Sequence, residues 1–174
     1  MCDPQRLPDA VVEEALRAND LRFHAMGPHR WMLGFNSPGV VGGHQIHVSN
    51  GEENPGFLSV LSILLHANER LDCLRKASDA LNARFALAKI AIYETPGGVH
   101  MVCRVVLPRL APIWSAERLA EALKHAFGAV LAASNAARPV LECCMQHADC
   151  DPEHALDQAG PRRQHPIYDP PPQL

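Results

Sequence analysis

Val12, Ala15 and Leu16 return to one face of PDAVVEEALRAND (residues 8–20) at helical spacing. Asp9 is placed to cap that helix. Glu13 and Glu14 fall in its early turns, where the helix dipole favours acids. The period then changes to two. In LRFHAM, Leu21, Phe23 and Ala25 alternate with Arg22, His24 and Met26. In HRWMLGF, Trp31, Leu33 and Phe35 alternate with Arg30, Met32 and Gly34. Both read as half-buried strands, and Gly27-Pro28 between them is a turn signal. NSPGVVGG reads as loop, GHQIHVSN as a third strand around Ile46 and Val48, and GEENPG as a second loop.

FLSVLSILLH carries apolar residues on both parities, which suits a central strand and also a buried helix. The strand reading is preferred, because Asn68 looks like the cap of a separate helix, NERLDCLRKASDALNARF. Leu71, Leu74, Ser78 and Leu81 form the stripe of that helix, and Glu69 lies in its first turn. ALAKIAIYE and VHMVCRVVL flank TPGG as a hairpin. Val99, Met101, Cys103, Val105 and Leu107 share one face of its second strand, which Pro108 and Pro112 end. Ser115 then caps a long helix with Leu119, Leu123, Ala126, Phe127, Val130 and Leu131 on its core face. Pro139 limits or kinks it, and PVLECCMQHA forms a last helical piece. From Asp151 the pattern fades among Pro152, Pro161, Pro166 and Pro170 to Pro172. That predicts an extended or disordered tail over residues 151–174, with polyproline character at its end.

The expectation is therefore one α+β domain over residues 8–150, with an antiparallel sheet flanked by helices in the order α-β-β-β-(β)-α-β-β-α. A length of 174 residues suits one domain with a real core.

Composition narrows the partners. Hydrophobic residues make up 47% and charged residues 20%, an ordinary soluble balance. The net charge of -3 gives no basic excess, so nucleic acid is not an expected partner. No apolar run approaches the ~20 residues of a membrane span, so no membrane is expected either. The opening MCDPQRLPDAVVEEALRAND is broken by Pro4 and Pro8 and carries acids, unlike a signal peptide. The expected setting is the cytoplasm, with the six cysteines as reduced thiols.

One stretch carries a resemblance. SDALNARFALAKIAIYETPGGVHMVCRVVLP (residues 78–108), followed by SAERLAEALKHAF, looks like the YbjN-like family of proposed bacterial regulators. In that family a helix ends in an Asn-containing segment, a hairpin displays a small loop, and a strand ending in Leu-Pro leads to a long final helix. The matching positions here are Asn82, Pro96 to Gly98, Leu107-Pro108 and Ser115 onward, and the similarity covers roughly residues 8–137. Class I type III secretion chaperones share this architecture. They are small, usually acidic homodimers that hold an unfolded segment of an effector. The resemblance implies a type III secretion chaperone-like fold and a non-enzymatic, homodimeric protein that binds other proteins. It brings no catalytic residue and no assigned partner-binding residue.

The chain has no GxSxG, no P-loop and no HExxH. GVVGGH lacks the Rossmann spacing and reads as a flexible loop. The neighbouring carboxylates Glu13-Glu14 and Glu52-Glu53 point in different directions and read as solvated charges. His44 and His47, three apart on a strand, face opposite sides and cannot share an ion.

CCMQHADCDPEH (residues 143–154) is richer. On a helix over 140–151, Cys143, His147 and Cys150 fall at i, i+4 and i+7, and His154 extends the row or folds back after Pro152. Thiolate and imidazole suit zinc, and four such ligands close a tetrahedral site. The plainer alternative is a cysteine-bearing helix end, with Cys143 continuing the stripe of Val140 and Leu141 as a small hydrophobe. A redox pair between neighbouring protomers is a third. Trp31, Trp114 and Phe57 are core or interface anchors, and YDPPPQL is a docking peptide or a disordered end.

The functional expectation is a protein-binding factor, a regulator or a secretion-chaperone-like protein, that captures an extended segment of a partner and needs no cofactor. The alternative is a metal- or redox-responsive sensor built on Cys143, His147, Cys150 and His154, with zinc as its ion.

Overall fold

The computed structural model describes residues 7–36, 43–51, 57–108 and 113–159. Helix α1 (Asp9–Ala18) leads into strands β1 (Phe23–Gly27), β2 (Arg30–Phe35), β3 (His44–Ser49) and β4 (Phe57–Ala67). Then follow α2 (Leu71–Arg84), β5 (Lys89–Thr95), β6 (Gly98–Pro108), α3 (Ala116–Gln146) and α4 (Pro152–Ala159). The six strands form one sheet in the order β1-β2-β3-β4-β6-β5, with every neighbouring pair antiparallel. The α+β architecture is the expected one, and residues 57–66 are strand. β4 lies inside the sheet, between β3 and β6. Val60 stands opposite Val48 on one side and Val105 on the other.

Four contacts fix which face the helices cover. The Phe35 ring lies 5.5 Å from the Phe127 ring, and His44 Nε2 lies 2.9 Å from Asn135 Oδ1. Cys103 Sγ lies 3.8 Å from the Val130 carbonyl, and Trp31 Nε1 donates to Glu13 Oε1 at 3.2 Å. All four strand residues share one side of the sheet. Between this face and the expected stripes Val12, Ala15 and Leu16 of α1 and Leu119 to Leu131 of α3 lies the core. Burial of this apolar area supplies most of the drive to fold.

The structure departs from the sequence expectations at four helix ends. Asp9 does not cap α1; Pro8 takes that position, and the Asp9 carboxylate accepts from Asn50 Nδ2 at 2.9 Å and meets His29 Nδ1 at 2.6 Å. Tertiary partners outbid the local cap. Asn68 does not cap α2 either. That helix starts after Arg70, whose φ is +66°, and Asn68 packs against Gly98, where a Cβ would collide with its side chain. Helix α3 runs unbroken through Pro139 to Gln146. Proline leaves one helical hydrogen bond unmade, yet Ala137, Val140, Leu141 and Cys144 are buried on both sides of it and hold the helix down.

The fourth difference is the tail. Residues 152–159 were expected to be extended and instead form α4. Asp151 Oδ1 accepts from the backbone N–H of Glu153 at 3.0 Å and of His154 at 3.4 Å, so it caps the helix. Pro152 suits a first helical position because its missing N–H has no intrahelical partner there. Leu156, 5% exposed, anchors the helix in the core. Residues 160–174, with YDPPPQL, lie outside the described residues, as do most of the GVVGGH glycines and Glu52-Glu53. Among the described residues, no helix is long and apolar enough to cross a membrane.

Candidate functional site

Strand alternation sends one set of side chains to the helices and the other set to the opposite side of the sheet. On β4 that opposite set is Phe57, Ser59, Leu61 and Ile63. The register places Val106 beside Ser59, Arg104 beside Leu61 and Val102 beside Ile63. Ala91 and Tyr93 of β5 continue the row across Val102 and His100. None of the described helices packs on this side. Phe57 is 47% exposed, Ile63 53%, Tyr93 43% and Val106 44%. All four thus stand on one face rather than being scattered. Arg104, between Val102 and Val106 on the same face, donates from Nη1 to Tyr93 Oη at 2.9 Å and sets a polar group within the apolar row. The His66 and His100 rings stack obliquely with centroids 4.4 Å apart at the end of β4.

No partner-binding residue was assigned from the sequence, although a signal was present. The second parity of FLSVLSILLH is apolar, and a strand with helices on one side only needs one apolar parity.

His47 lies on this same face, opposite Met32 and Leu61. Burial lowers its pKa below the ordinary 6.5. The neutral ring therefore favours the folded chain. This contribution is complete above pH 6.5 and is lost as the pH falls toward the depressed folded value. Urea midpoints at pH 7 and pH 5 check the effect: the fall on acidification is smaller in His47→Gln than in wild type.

The second candidate lies where α2, α3 and α4 meet. Helix α3 ends at Gln146, with the His147 N–H bonded to the Cys143 carbonyl. Cys150 is therefore not on the helix, and the expected i+7 relation does not apply. The chain reverses instead, with the Cys150 N–H bonded to the His147 carbonyl at 3.4 Å. Reversal brings the Cα atoms of Cys143 and Cys150 to 5.6 Å, and the two sulfurs are joined as a disulfide. The expectation of thiols throughout is corrected for this pair. Cys73, Cys103 and Cys144 remain thiols.

Cys143, His147, Cys150 and His154 do line one cleft, of about 360 Å³, together with Asp149 and Asp151. His154 Nε2 lies 2.7 Å from Gln158 Nε2. Among the described residues, however, the metal-ligating atoms that gather closely belong to another set. The sulfurs of Cys73, Cys144 and Cys150 all lie within 4.8 Å of one another, and Cys144 Sγ is 3.9 Å from Cys150 Sγ. Cys144 is not among the residues singled out from the sequence, and Cys73 lies on α2, far earlier in the chain; only the docking of α2 on the end of α3 reveals the group. Burial, reinforced by its bond to and the charge of Cys73, pushes the Cys144 thiol up to about 12. Burial likewise pushes Cys103 up to about 12, but Cys103 sits alone beneath α3 as a small hydrophobe.

A further cleft of about 370 Å³ opens between β4 and α3, lined by His44, Ser62, Leu65, Arg138, Glu142 and Met145 among others. Arg138 and Glu142 lie one helical turn apart on α3.

No protein-family model matches the chain. No curated protein matches it. Among solved structures, it is similar to the crystal structure of YbjN, a proposed transcription regulator from E. coli. The TM-score is 0.59 at 12% identity, over 75% of this chain and 91% of that one. The HopA1-SchA chaperone-effector complex matches with a TM-score of 0.49 at 13% identity, over 75% and 91% of the two chains. An uncharacterized protein from Methanothermobacter thermautotrophicus matches with a TM-score of 0.47 at 12% identity, over 75% and 96%. The likeness to YbjN shows the fold expected from residues 78–108: this chain has a YbjN-like α+β fold.

Proposed function

From the YbjN-like fold and a sheet face that none of the described helices covers, we propose that the chain is a non-enzymatic protein-binding factor. It acts as a regulator, or in the manner of a secretion chaperone, by holding a segment of a partner protein. The observation that carries this reading is the apolar face of β4, β6 and β5. Contiguous apolar surface rimmed by polar groups marks a protein contact. Phe57 and Tyr93 supply the aromatic anchors that such contacts concentrate, and Arg104 supplies the arginine found with them. A homodimer is the symmetric use of the same face. The proposed setting is a bacterial cytoplasm, whose thiol pool would reduce the Cys143–Cys150 bond.

The double variant Ile63→Asp, Val106→Asp tests the face. Both side chains are about half exposed, so circular dichroism and Tm stay close to wild type. Association, read by native mass spectrometry and light scattering, weakens by at least about 100-fold, because a contact would bury unpaired carboxylates. A wild-type chain that is bare and monomeric when isolated from its own host would contradict the reading.

A further inference from the structure

We propose that Cys73, Cys143, Cys144 and Cys150 form a thiol-gated zinc site, closed while the Cys143–Cys150 disulfide stands and able to take one ion when that bond is reduced. The four residues come from three separate places in the chain. Cys73 lies in the first turns of α2, Cys143 and Cys144 in the last turn of α3, and Cys150 in the turn that leads to α4. Folding alone has drawn them together, across 70 residues of sequence.

The spacing suits the ion. Zinc holds thiolates at about 2.3 Å in a tetrahedron, which sets its sulfurs about 3.8 Å apart. Cys144 and Cys150 stand 3.9 Å apart, and Cys73 joins them within 4.8 Å. Cys143 lies outside that group of three, but its bond to Cys150 holds it beside them as the nearest fourth sulfur. An all-sulfur set is soft and selects zinc over the hard cations magnesium and calcium. Cys144 is buried, while Cys73 and Cys150 are half-buried, so the group is shielded yet reachable from the cleft beside His147.

The chemistry balances with a cellular thiol as reductant. Two reductant thiols give two electrons and two protons to the Cys143–Cys150 bond and leave as their own disulfide. Three cysteine thiols then face one another, with the Cys143 thiol beside Cys150 free to complete the set. Zinc binds as they release their protons to water. The ion would tie α2 to the junction of α3 and α4, so the redox state of the cell sets how firmly α4 is held. The ligand set differs from the Cys/His row legible in the sequence: His147 and His154 border the cleft but stand outside the gathered sulfurs. The proposal is independent of the partner-binding reading, and its test does not involve the sheet face.

The test uses the full chain, made without a histidine tag and held either oxidised or reduced. Each form is titrated with zinc alone, then with cobalt as a coloured substitute, and read by native mass spectrometry and visible absorption. Reduced protein is expected to take one zinc per chain and to give the intense bands of tetrahedral sulfur-bound cobalt. Oxidised protein takes none. Cys73→Ser and Cys144→Ser each weaken binding at least tenfold, while the double variant His147→Ala, His154→Ala binds as wild type does. If Cys144→Ser fails to fold, the half-buried Cys73→Ser variant decides. Absence of zinc in the reduced chain would overturn the proposal. So would equal binding by the oxidised chain, or zinc lost with the histidines and kept without Cys73.

Discussion

Replacing Trp31 with alanine lowers the unfolding free energy by about 4 kcal/mol, within the range for truncating a large buried aromatic. Trp31 is 2% exposed on β2, with Ala25 and Val48 as its cross-strand neighbours and α1 above it. Truncation opens a cavity between sheet and helix that these regular elements cannot collapse to fill. It also removes the donor to Glu13 Oε1. Urea unfolding checks this: the midpoint falls while the slope stays constant, as expected when stability changes and the unfolded state does not. Trp31→Phe keeps most of the volume and costs about 1–2 kcal/mol. Of the aromatics that could have been core or interface anchors, Trp31 belongs to the core and Phe57 to the open face, while Trp114 is half-buried and donates to the Pro108 carbonyl.

The second large effect is expected at Asn82. Its side chain acts as a short piece of strand laid along the edge of β5. Asn82 Oδ1 accepts from the Ile90 N–H at 2.7 Å, and Asn82 Nδ2 donates to the Ile90 carbonyl at 2.9 Å. Ser78 Oγ adds a second donor to that carbonyl at 3.2 Å. Ile90 is only 4% exposed, so water replaces these bonds poorly. In Asn82→Ala the Ile90 N–H loses its side-chain acceptor and the carbonyl keeps Ser78. The expected cost is about 2 kcal/mol, or a fall in Tm of about 6 °C by calorimetry. Asn82→Asp keeps the acceptor and loses the donor, so it falls between wild type and alanine. The same side chain blocks an edge strand that could otherwise pair with another chain. Asn82 is one of the positions that carried the family resemblance, and the structure gives it a physical task.

The strands were legible because alternation in HRWMLGF and VHMVCRVVL reports one buried face, and because TPGG marks a turn whose strands pair Thr95 with Gly98. β4 does not alternate; it was legible as a central strand because its apolar residues fill both parities and a separate helix pattern follows it. Helix ends were less so. Asp9 and Asn68 have the right side chains for caps, but each is drawn to a distant partner, His29 and Asn50 in one case and the Gly98 turn in the other. Local preference is worth about 1 kcal/mol at a cap and yields to such contacts. α4 was hidden because the prolines beyond it dominated the composition of the tail, although Asp151-Pro152 is itself a helix-start signal.

The candidate sites divide in the same way. The apolar outer parity of β4 was visible in FLSVLSILLH, but its exposure depended on where the helices lie. Cys143 and Cys150 were recognised as neighbours through the wrong geometry, a continuous helix in place of a chain reversal. Cys73 carried no signal, because nothing local links α2 to the end of α3. Only topology could place its sulfur within 4.8 Å of Cys144 and Cys150.

Hydroxyl-radical footprinting of the protein isolated with whatever it holds, compared with the chain alone after that partner is stripped away, tests the central claim most directly. The account predicts that Phe57, Ile63, Tyr93 and Val106 are protected in the isolated form and label strongly in the bare chain. Equal labelling of those four side chains in both forms, with protection falling elsewhere, would contradict it.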